Sequence, residues 1–368
     1  MTGPARTNRR DPGLNGRSFT AAQSFLLSSK LYWTRRMYPA LHDRYDSLAA
    51  KQETPPETAN DAAGLIAHTP DYRVYAWLER HLQRFKYSGR YGLQAYHDGM
   101  REDLLTGLEN TVLPDGLLTL APDLKMPRYY KAVDIHQHPG GVWSDEIAGF
   151  VYERGAQSTA PMLKKSQSLF HRMTAQAMTQ ADRDVRKVVD LGCGWGGSTQ
   201  PYYEDHAEVD VTGVELSAPC LRVAALRAAE LQAQNVRYKQ ADASDTGLSG
   251  GDTDIVTSTM LLHEMPPSHI KGVFREAHRL LAPGGLSIHL DFLMRDDPFK
   301  VWVHHGHSAR NNEPFMVPLN GMDILAAHKE AGFDDVEIVP FEEFDGALSP
   351  DNLAWRFPWT MIIARKPG

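Results

Sequence analysis

The sequence predicts a mostly helical N-terminal region followed by an α/β domain with a doubly wound, largely parallel sheet. From Arg186 onward, short runs of β-branched residues alternate with helical segments, which is the pattern of such a sheet. The first of these runs ends in a glycine-rich turn, VVDLGCGWGG at 188–197. With 368 residues, 42% of them hydrophobic, the chain can bury one large or two modest cores.

The N-terminal region divides into a tail and a helical domain. Residues 1–20 are rich in Arg, Gly, Asn and Pro and lack the apolar stretch of a secretory signal, so we expect a disordered polar tail. A helical domain is expected over 21–160, where it could form a homodimer contact and close over a substrate. Its predicted helices cover 21–38, 94–106 and the stretch between a capping Thr69 and a terminating Gly89, with Val74, Leu78, Leu82 and Phe85 as the buried face of the last.

The remaining residues, 161–368, are predicted to form the α/β domain. A helix from Met162 to about Asp182 leads into it. Seven strands are predicted, at Lys187–Leu191, Val209–Glu215, Val236–Gln240, Asp254–Thr259, Gly285–Leu290, Val336–Pro340 and Thr360–Arg365. One intervening helix presents a clear apolar face, made of Ile270, Val273, Phe274, Ala277, Leu280 and Leu281.

The glycine-rich turn predicts a ligand site at the end of the first strand. Glycines let the backbone bend sharply and approach a ligand closely. Nineteen residues after Gly196, the second strand ends in Glu215, which is placed to accept both hydroxyls of a ribose. The turn alone fits a nicotinamide nucleotide equally well, but Asp190, two residues before the first glycine, favours a ligand that carries a positive charge. Asp242, after the third strand, is placed to hold an adenine amino group.

Taken in order, these segments resemble the class I S-adenosylmethionine-dependent methyltransferases. The resemblance covers about residues 160–368 and includes TDIVTSTMLLHEM, LLAPGGLSIHLDF and the closing pair of strands. It implies a seven-stranded Rossmann-like domain with S-adenosyl-L-methionine as cofactor. The cofactor-binding residues that it implies are Asp190, Gly192, Gly194, Gly196, Glu215, Leu216, Asp242, Ala243 and Met260.

The end of the fourth strand carries the candidate catalytic residues, His263 and Glu264. Leu-Leu-His-Glu resembles the Leu-His-Asp-Trp segment of small-molecule O-methyltransferases, in which the histidine removes the substrate proton, and also the Leu-His-His segment of quinone C-methyltransferases. His263 is therefore a candidate general base, with acceptor positioning or a purely structural hydrogen bond as the alternatives. Glu264 would orient that histidine or cap the next helix.

Two further segments are candidates for the acceptor site. The stretch 299–315 places polar side chains among aromatic ones, and DIHQHPGG at 134–141 would present two alternating histidines on one side of a strand. Arg310 is the candidate clamp for an acidic acceptor. The predicted substrate-binding residues are His136, His138, Tyr152, His304, His307, Arg310 and Asn311. A polar connector and a domain junction are the alternatives, and no metal is expected although His305 and His307 are two residues apart.

Charge and cysteine content limit the function further. The net charge is −7, and the excess acid lies in the second half, where residues 161–368 hold 20 basic and 28 acidic side chains. We therefore expect no nucleic-acid partner. Two cysteines do not form a disulfide framework, and no stretch is apolar enough for a membrane span, so a cytoplasmic protein is expected.

The expected activity is methyl transfer to an oxygen or sulfur nucleophile of a small metabolite. One narrower hypothesis is S-methylation of 4-methylthio-2-hydroxybutyrate, since the bacterial enzymes of dimethylsulfoniopropionate synthesis have a similar size and a helical N-terminal part. The alternatives are C-methylation of a quinone or polyketide, and methylation of protein or RNA with the N-terminal domain as a docking module. The winged-helix pattern of the O-methyltransferases is not recognisable here.

Overall fold

A computed structural model describes residues 16–159, 169–294 and 296–368. Eight strands form one sheet in the order β1-β4-β3-β2-β5-β6-β8-β7. The strands are β1 (Leu118–Thr119), β2 (Lys187–Leu191), β3 (Asp210–Glu215), β4 (Val236–Gln240), β5 (Thr253–Thr259), β6 (Leu281–Phe292), β7 (Asp335–Pro340) and β8 (Trp359–Arg365). All seven predicted strands are confirmed, with ends that shift by a few residues.

The sheet topology places the glycine-rich turn at its centre. Strands β2, β3 and β4 follow one another outward with parallel pairing, and the chain then returns to place β5 on the other side of β2. The order therefore reverses beside β2, and a crevice opens at the carboxyl ends of β2 and β5, where ligands bind in such sheets. Strand β8 pairs antiparallel with both β6 and β7, and β7 forms the far edge of the sheet.

The prediction of seven strands was one short. The eighth, β1, comes from the N-terminal region and pairs in parallel with β4 at the sheet edge. It has only two residues, which is too short to show the alternation by which strands are recognised in a sequence. The N-terminal region therefore contributes to the sheet as well as to the helices.

The N-terminal helices begin earlier than predicted and are more broken. Helix α1 starts at Arg17, inside the predicted tail, while residues 1–15 of that tail lie outside the described part. The helix predicted over 21–38 becomes α1, a π-helical turn and α2, and the one predicted over 94–106 is divided at Gly99. The bounds are α1 (Arg17–Tyr32), a π turn (Trp33–Met37), α2 (Tyr38–Ala49), α3 (Ala59–Ile66), α4 (Pro70–Tyr87), α5 (Leu93–Asp98), α6 (Arg101–Asn110), α7 (Arg128–Lys131) and α8 (Ala148–Thr159).

Helix α4 has the predicted ends but buries a different face. The Thr69 hydroxyl accepts a hydrogen bond from the Tyr72 backbone N–H and caps the helix. Val74 and Phe85, predicted to be buried, are 55% and 52% exposed. The buried residues are Tyr75, Glu79, Leu82, Lys86 and Tyr87. The period is as predicted, but two charged residues occupy the buried face and conceal its position in the sequence.

The helices of the second half cover both faces of the sheet. They are α9 (Leu169–Gln180), α10 (Gln200–Asp205), α11 (Ala218–Glu230), α12 (Pro267–Leu280), α13 (Pro298–Asn311), α14 (Met316–Asn320) and α15 (Ile324–Ala331). The first half of the helix predicted from Met162 lies outside the described residues, and α9 is its second half. The apolar face predicted for α12 is fully buried, as are Leu280 and Leu281 at its end.

The N-terminal helices pack onto the α/β domain through α13. Helices α3 and α4 both contact α13, and Phe299 and Val303 share one apolar cluster with Trp33, Leu41 and Tyr75. The histidine-rich segment after the fifth predicted strand is therefore a helix between the two halves of the chain. This arrangement places the N-terminal helices over the carboxyl edge of the sheet. Within the described ranges, no helix is long and apolar enough to span a membrane.

Candidate active site

A cavity of about 380 Å³ lies at the carboxyl edge of the sheet, where the topology predicts a ligand. Its floor is formed by the glycine-rich turn and the ends of β3 and β5. Its walls come from α1, α4, the segment 129–152 and the C-terminal stretch 343–359. Both halves of the chain thus contribute to one cavity, whose size is within the range of small-molecule sites.

The turn after β2 forms the close approach that a ligand requires. Gly192, Gly194 and Gly196 all have positive φ, at 70°, 54° and 87°. A Cβ on Gly192 would lie 2.5 Å from Leu261, and one on Gly196 would lie 2.9 Å from Ala224 and from the Tyr238 hydroxyl. Gly192 and Gly194 line the cavity, whereas Gly196 allows the packing of the turn against α11. Side chains at these positions would fill the space or distort the loop.

Asp190 supports the turn and does not line the cavity, which corrects its prediction as a cofactor contact. It is fully buried, and its Oδ2 accepts hydrogen bonds from the hydroxyls of Ser198 and Thr199, both at 2.7 Å. Burial raises the pKa of Asp190 to about 6. The carboxyl group therefore holds the residues that follow the glycine turn and does not face the ligand.

Glu215 lines the cavity at the end of β3, as predicted for a ribose acid. Its Oε1 accepts from the Ser217 N–H at 2.8 Å and the Tyr130 hydroxyl at 3.2 Å, and its Oε2 accepts from the Gly194 N–H at 3.1 Å. Burial raises its pKa. A carboxylate has about four acceptor positions, so Oε2 can still accept a ligand hydroxyl.

The other predicted cofactor residues divide between the cavity and its surroundings. Leu216, Ala243 and Met260 line it. Asp242 does not line it, and its Oδ1 accepts from the backbone N–H and the hydroxyl of Ser244. The glycine turn, Glu215 and this apolar wall fit a ligand with a ribose and an adenine ring, as S-adenosylmethionine has.

His263 is held by a carboxylate that the sequence analysis did not identify. Its ring Nδ1 lies 2.8 Å from Oδ1 of Asp291, at the end of β6, and Asp291 Oδ2 accepts from the Leu262 N–H at 2.7 Å. His263 is 2% exposed and lines the cavity, so its Nε2 is the ring atom left for a ligand. Burial alone would lower the pKa of His263, but the Asp291 carboxylate outweighs burial and raises it.

Glu264 does not orient His263, contrary to the prediction. Its Oε1 lies 3.0 Å from Nε2 of His136 and 4.0 Å from Nε2 of His263. The other ring nitrogen of His136 lies 3.0 Å from Oε1 of Glu313. Burial alone would lower the pKa of His136, but the hydrogen bonds to Glu264 and Glu313 raise it to about 10. His136 is therefore an imidazolium between two carboxylates at neutral pH.

The segment around His136 is a tight turn, so the two histidines of DIHQHPGG do not share a strand face as predicted. Residues Ile135–Gln137 form a 3-10 turn in which His136 and Gln137 have φ of 55° and 57°. Non-glycine residues in this region are strained, and such strain concentrates at functional sites. Gln83 Nε2 donates to the His136 carbonyl at 2.8 Å and holds the turn against α4.

The predicted acceptor-binding residues are only partly brought together. His136, Tyr152, His307 and Asn311 line the cavity, with the Tyr152 ring stacked on His136 at 6.1 Å between centroids. His138 and His304 do not line it. His138 is buried against the Tyr87 ring, and His304 is buried beside Phe292. Burial lowers the pKa of His138 to about 4 and that of His304 to about 3, so both are neutral packing residues.

Arg310 is not a substrate clamp, which corrects a further prediction. Its Nε donates to Glu79 on α4, and its NH1 donates to the Tyr72 hydroxyl at 3.0 Å. Glu79 also pairs with His307. This network joins α13 to α4 beneath the cavity wall, so Arg310 holds the two halves of the chain together.

Four residues of the cavity and its support were not predicted from the sequence, because no local pattern marks them. Asp291 ends a central strand, and its position at the carboxyl edge could have identified it. Glu313 lies in the polar stretch 299–315, in which nothing distinguishes it from its neighbours. Lys30 and Lys86 lie on the cavity wall in helices that no motif singles out. Among the described residues, no group of three potential metal ligands is present.

The match to known proteins agrees with this geometry. Residues 188–285 match the family model described as a methyltransferase domain. An uncharacterized methyltransferase of Synechocystis sp. is 32% identical over 117 residues, which are 32% of this chain and 51% of that protein. The 2-methyl-6-phytyl-1,4-hydroquinone methyltransferase of the same organism is 35% identical over 121 residues, 31% of this chain and 36% of that protein. The chain thus spans about half or less of the length of these curated relatives.

Among solved structures, phosphoethanolamine N-methyltransferase 2 of Haemonchus contortus, in complex with S-adenosyl-L-methionine, aligns with a TM-score of 0.46 and 17% identity. The alignment covers 66% of this chain and 61% of that one, a similarity too weak to support a functional conclusion. The family match and the sheet with its glycine turn identify residues 188–285 as part of a class I S-adenosylmethionine-dependent methyltransferase domain.

Proposed function

We propose that the chain transfers the methyl group of S-adenosylmethionine to an oxygen or sulfur nucleophile of a small metabolite held in the cavity. The observation that carries this proposal is the pair formed by His263 and Asp291, which presents one ring nitrogen to the cavity beside the cofactor wall. A base in that position serves an acceptor that must lose a proton as it accepts the methyl group.

S-adenosylmethionine, when bound, supplies a methyl group on a sulfonium, which is open to displacement by a nucleophile. Glu215 would hold the ribose hydroxyls, and Leu216 and Ala243 would face the adenine. The backbone of the glycine turn would lie against the methionine part. The chain thereby fixes the donor on one side of the cavity and leaves the side of His263 and Glu264 for the acceptor.

His263 would take the proton of a hydroxyl acceptor on Nε2. Asp291 fixes the tautomer with hydrogen on Nδ1 and stabilises the imidazolium that forms. Because the pKa of His263 is raised, more of the ring is protonated at neutral pH, and the reactive neutral form increases as the pH rises. His136 cannot replace it, since both of its nitrogens are bound to carboxylates.

The composition of the cavity supports a small polar acceptor. Helices α1 and α4 and the segment 129–152 of the N-terminal region line the cavity, and its volume of about 380 Å³ suits a small molecule. The charged side chains of His136, Glu264 and Glu313 favour a polar acceptor over a quinone or polyketide, although aromatic residues such as Phe292 and Trp355 line the same cavity. The hydroquinone specificity of the Synechocystis relative belongs to that protein and is not transferred here.

A thioether acid such as 4-methylthio-2-hydroxybutyrate is a second candidate. A thioether needs no base, and its methylation creates a sulfonium cation. Glu264 and Glu313 share a single imidazolium, so this wall carries a net negative charge that would stabilise such a product.

The test uses S-adenosylmethionine with a ¹³C-labelled methyl group and the low-mass fraction of a cell extract. The ¹³C chemical shift of the labelled product distinguishes methyl groups on oxygen, sulfur and carbon. We expect an O-methyl or S-methyl signal. A C-methyl signal would contradict the proposed chemistry.

The His263→Ala variant then separates the two candidates. For a hydroxyl acceptor we expect the rate to fall by about 10²-fold or more. A loss below tenfold with an S-methyl product would select the thioether candidate, whereas the same small loss with an O-methyl product would remove His263 as the base. Far-UV circular dichroism checks that the variant is folded.

A further inference from the structure

His307 on α13 is a second histidine of the cavity whose ring is held by a buried carboxylate. Its Nδ1 pairs with Oε1 of Glu79 on α4, and Glu79 is 5% exposed. Oε2 of the same carboxylate accepts from Nε of Arg310, one turn further along α13. Burial alone would raise the pKa of Glu79, but His307 and Arg310 outweigh burial and lower it. The carboxylate is therefore ionised and holds the ring in one orientation.

The other ring nitrogen of His307, Nε2, is left for a ligand. In the part of the chain that the structure describes, every hydrogen bond of the ring involves Nδ1. The residue is 8% exposed and lines the cavity, so Nε2 is the atom that it offers there. His263 has the same arrangement, with Nδ1 on a buried carboxylate. One cavity therefore holds two histidines that can each bind a ligand through Nε2.

An aromatic wall separates the two histidines. The His263 ring contacts Phe292 with 4.7 Å between centroids, and Phe292 stacks on Phe357 at 4.5 Å. Phe357 in turn contacts the His307 ring at 5.2 Å, and Trp355 contacts that ring at 4.9 Å. All three aromatic residues line the cavity. A ligand that reaches from one histidine to the other therefore passes along apolar rings.

The ligand group that suits Nε2 of His307 best is a hydroxyl. A neutral imidazole accepts a hydrogen bond at this nitrogen, and an imidazolium donates one. A hydroxyl can donate and accept, so it matches both forms of the ring. An anionic group would be repelled by Glu215, Glu264 and Glu313, which line the same cavity. A neutral hydroxyl avoids that repulsion.

We propose that His307 binds a hydroxyl group of the methyl acceptor, separate from the atom that receives the methyl group. This inference rests on the proposed function and specifies its substrate class, a small molecule with two polar groups on either side of an apolar part. The nucleophile would lie at His263, the apolar part against Phe292 and Phe357, and the second hydroxyl at His307. Glu79 acts through His307 and is a positioning residue.

The experiment uses the full chain, methyl-labelled S-adenosylmethionine and the low-mass fraction of a cell extract. The labelled product is acetylated, and mass spectrometry before and after mild base counts the acetyl esters, each of which reports a free hydroxyl. The Michaelis constant and kcat for the acceptor are then measured in the unmodified protein, His307→Asn and His307→Gln. His68→Asn is the control for an exposed histidine after α3. Calorimetry measures the affinity for S-adenosylmethionine, and thermal unfolding measures stability.

We expect a product with at least one free hydroxyl. The Michaelis constant should rise by about 10-fold in His307→Asn, because a hydrogen bond to the acceptor is lost. Asparagine can still reach Glu79 but not the position of Nε2, whereas glutamine can reach that position and should restore most of the affinity. In both variants kcat and donor affinity should stay within about twofold, since the reacting group lies at His263. His68→Asn should behave as the unmodified protein.

A labelled small molecule without a free hydroxyl would overturn the inference and leave the proposed function in place. So would an unchanged Michaelis constant in folded His307→Asn, or lower stability in His307→Gln than in His307→Asn with equal Michaelis constants, which is the mark of a structural role. If His307→Asn does not fold, binding of the product to the unmodified protein is compared before and after acetylation, and equal affinity would overturn the inference. If no small molecule is labelled, the proposed function fails, and the inference fails with it.

Discussion

Asp291→Asn is the substitution that tests the role of the histidine pair most sharply. The carboxylate is fully buried and has four hydrogen-bond partners: the His263 ring, the backbone N–H groups of Leu262 and His263, and the N–H of the adjacent Phe292. An asparagine keeps the shape but brings an NH₂ group that faces a donor in either orientation. At least one charge-assisted hydrogen bond is lost, at a cost of about 1.5–3 kcal/mol.

For a hydroxyl acceptor, the expected consequence is a fall in kcat of about 10²-fold or more, because the base is no longer fixed in the correct tautomer. Asp291 raises the pKa of His263, so its loss should lower that pKa. The rising limb of the pH–rate profile, which reports the neutral imidazole, should then move to lower pH. The affinity for S-adenosylmethionine should stay within about twofold, since Asp291 does not line the cavity.

The assay is methylation of the identified acceptor as a function of pH, with Asp334→Asn as the control for an exposed aspartate before β7. A folded Asp291→Asn variant with an unchanged kcat and an unchanged pH profile would show that Asp291 does not act on His263 during the reaction. In that case the His263–Asp291 pair only anchors the turn after β5.

Two other substitutions test the remaining assignments. Glu215→Ala should weaken binding of S-adenosylmethionine by about 1–3 kcal/mol, measured by calorimetry, and unchanged affinity would remove the ribose assignment. Arg310→Ala should lower the free energy of unfolding by about 3–5 kcal/mol, because it leaves Glu79 buried with one cation fewer. Thermal unfolding measures this, and a variant of normal stability with a raised acceptor Michaelis constant would restore Arg310 as a substrate clamp.

The α/β half was predictable because its signals are local. Each of the seven predicted strands contains at least one β-branched residue, and most contain several. The face of α12 repeats at the helical period over 12 residues from Ile270 to Leu281. The glycine turn is recognisable in the sequence because three glycines lie within five residues. All three have positive φ in the structure. These features depend on backbone geometry, which short sequence windows encode.

The acceptor side was less predictable because its contacts join distant parts of the chain. His136 meets Glu264 and Glu313, which are 128 and 177 residues away, and Arg310 meets Glu79 across 231 residues. From the sequence alone, a histidine or an arginine in a polar segment could bind a substrate or form a structural ion pair. Only the positions of its partners distinguish the two roles. The prediction of the buried face of α4 was wrong for a related reason. Glu79 and Lys86 can be buried only where partners from other segments meet them.

The most direct test of the central claim is the destination of the methyl label. The full chain is incubated with methyl-labelled S-adenosylmethionine and a cell extract, and the label is counted separately in small molecules, protein and RNA, with Glu215→Ala as the cofactor-site control. We expect label in a small molecule, strongly reduced in the variant. Label confined to protein or RNA would contradict it and would make the N-terminal helices a docking module.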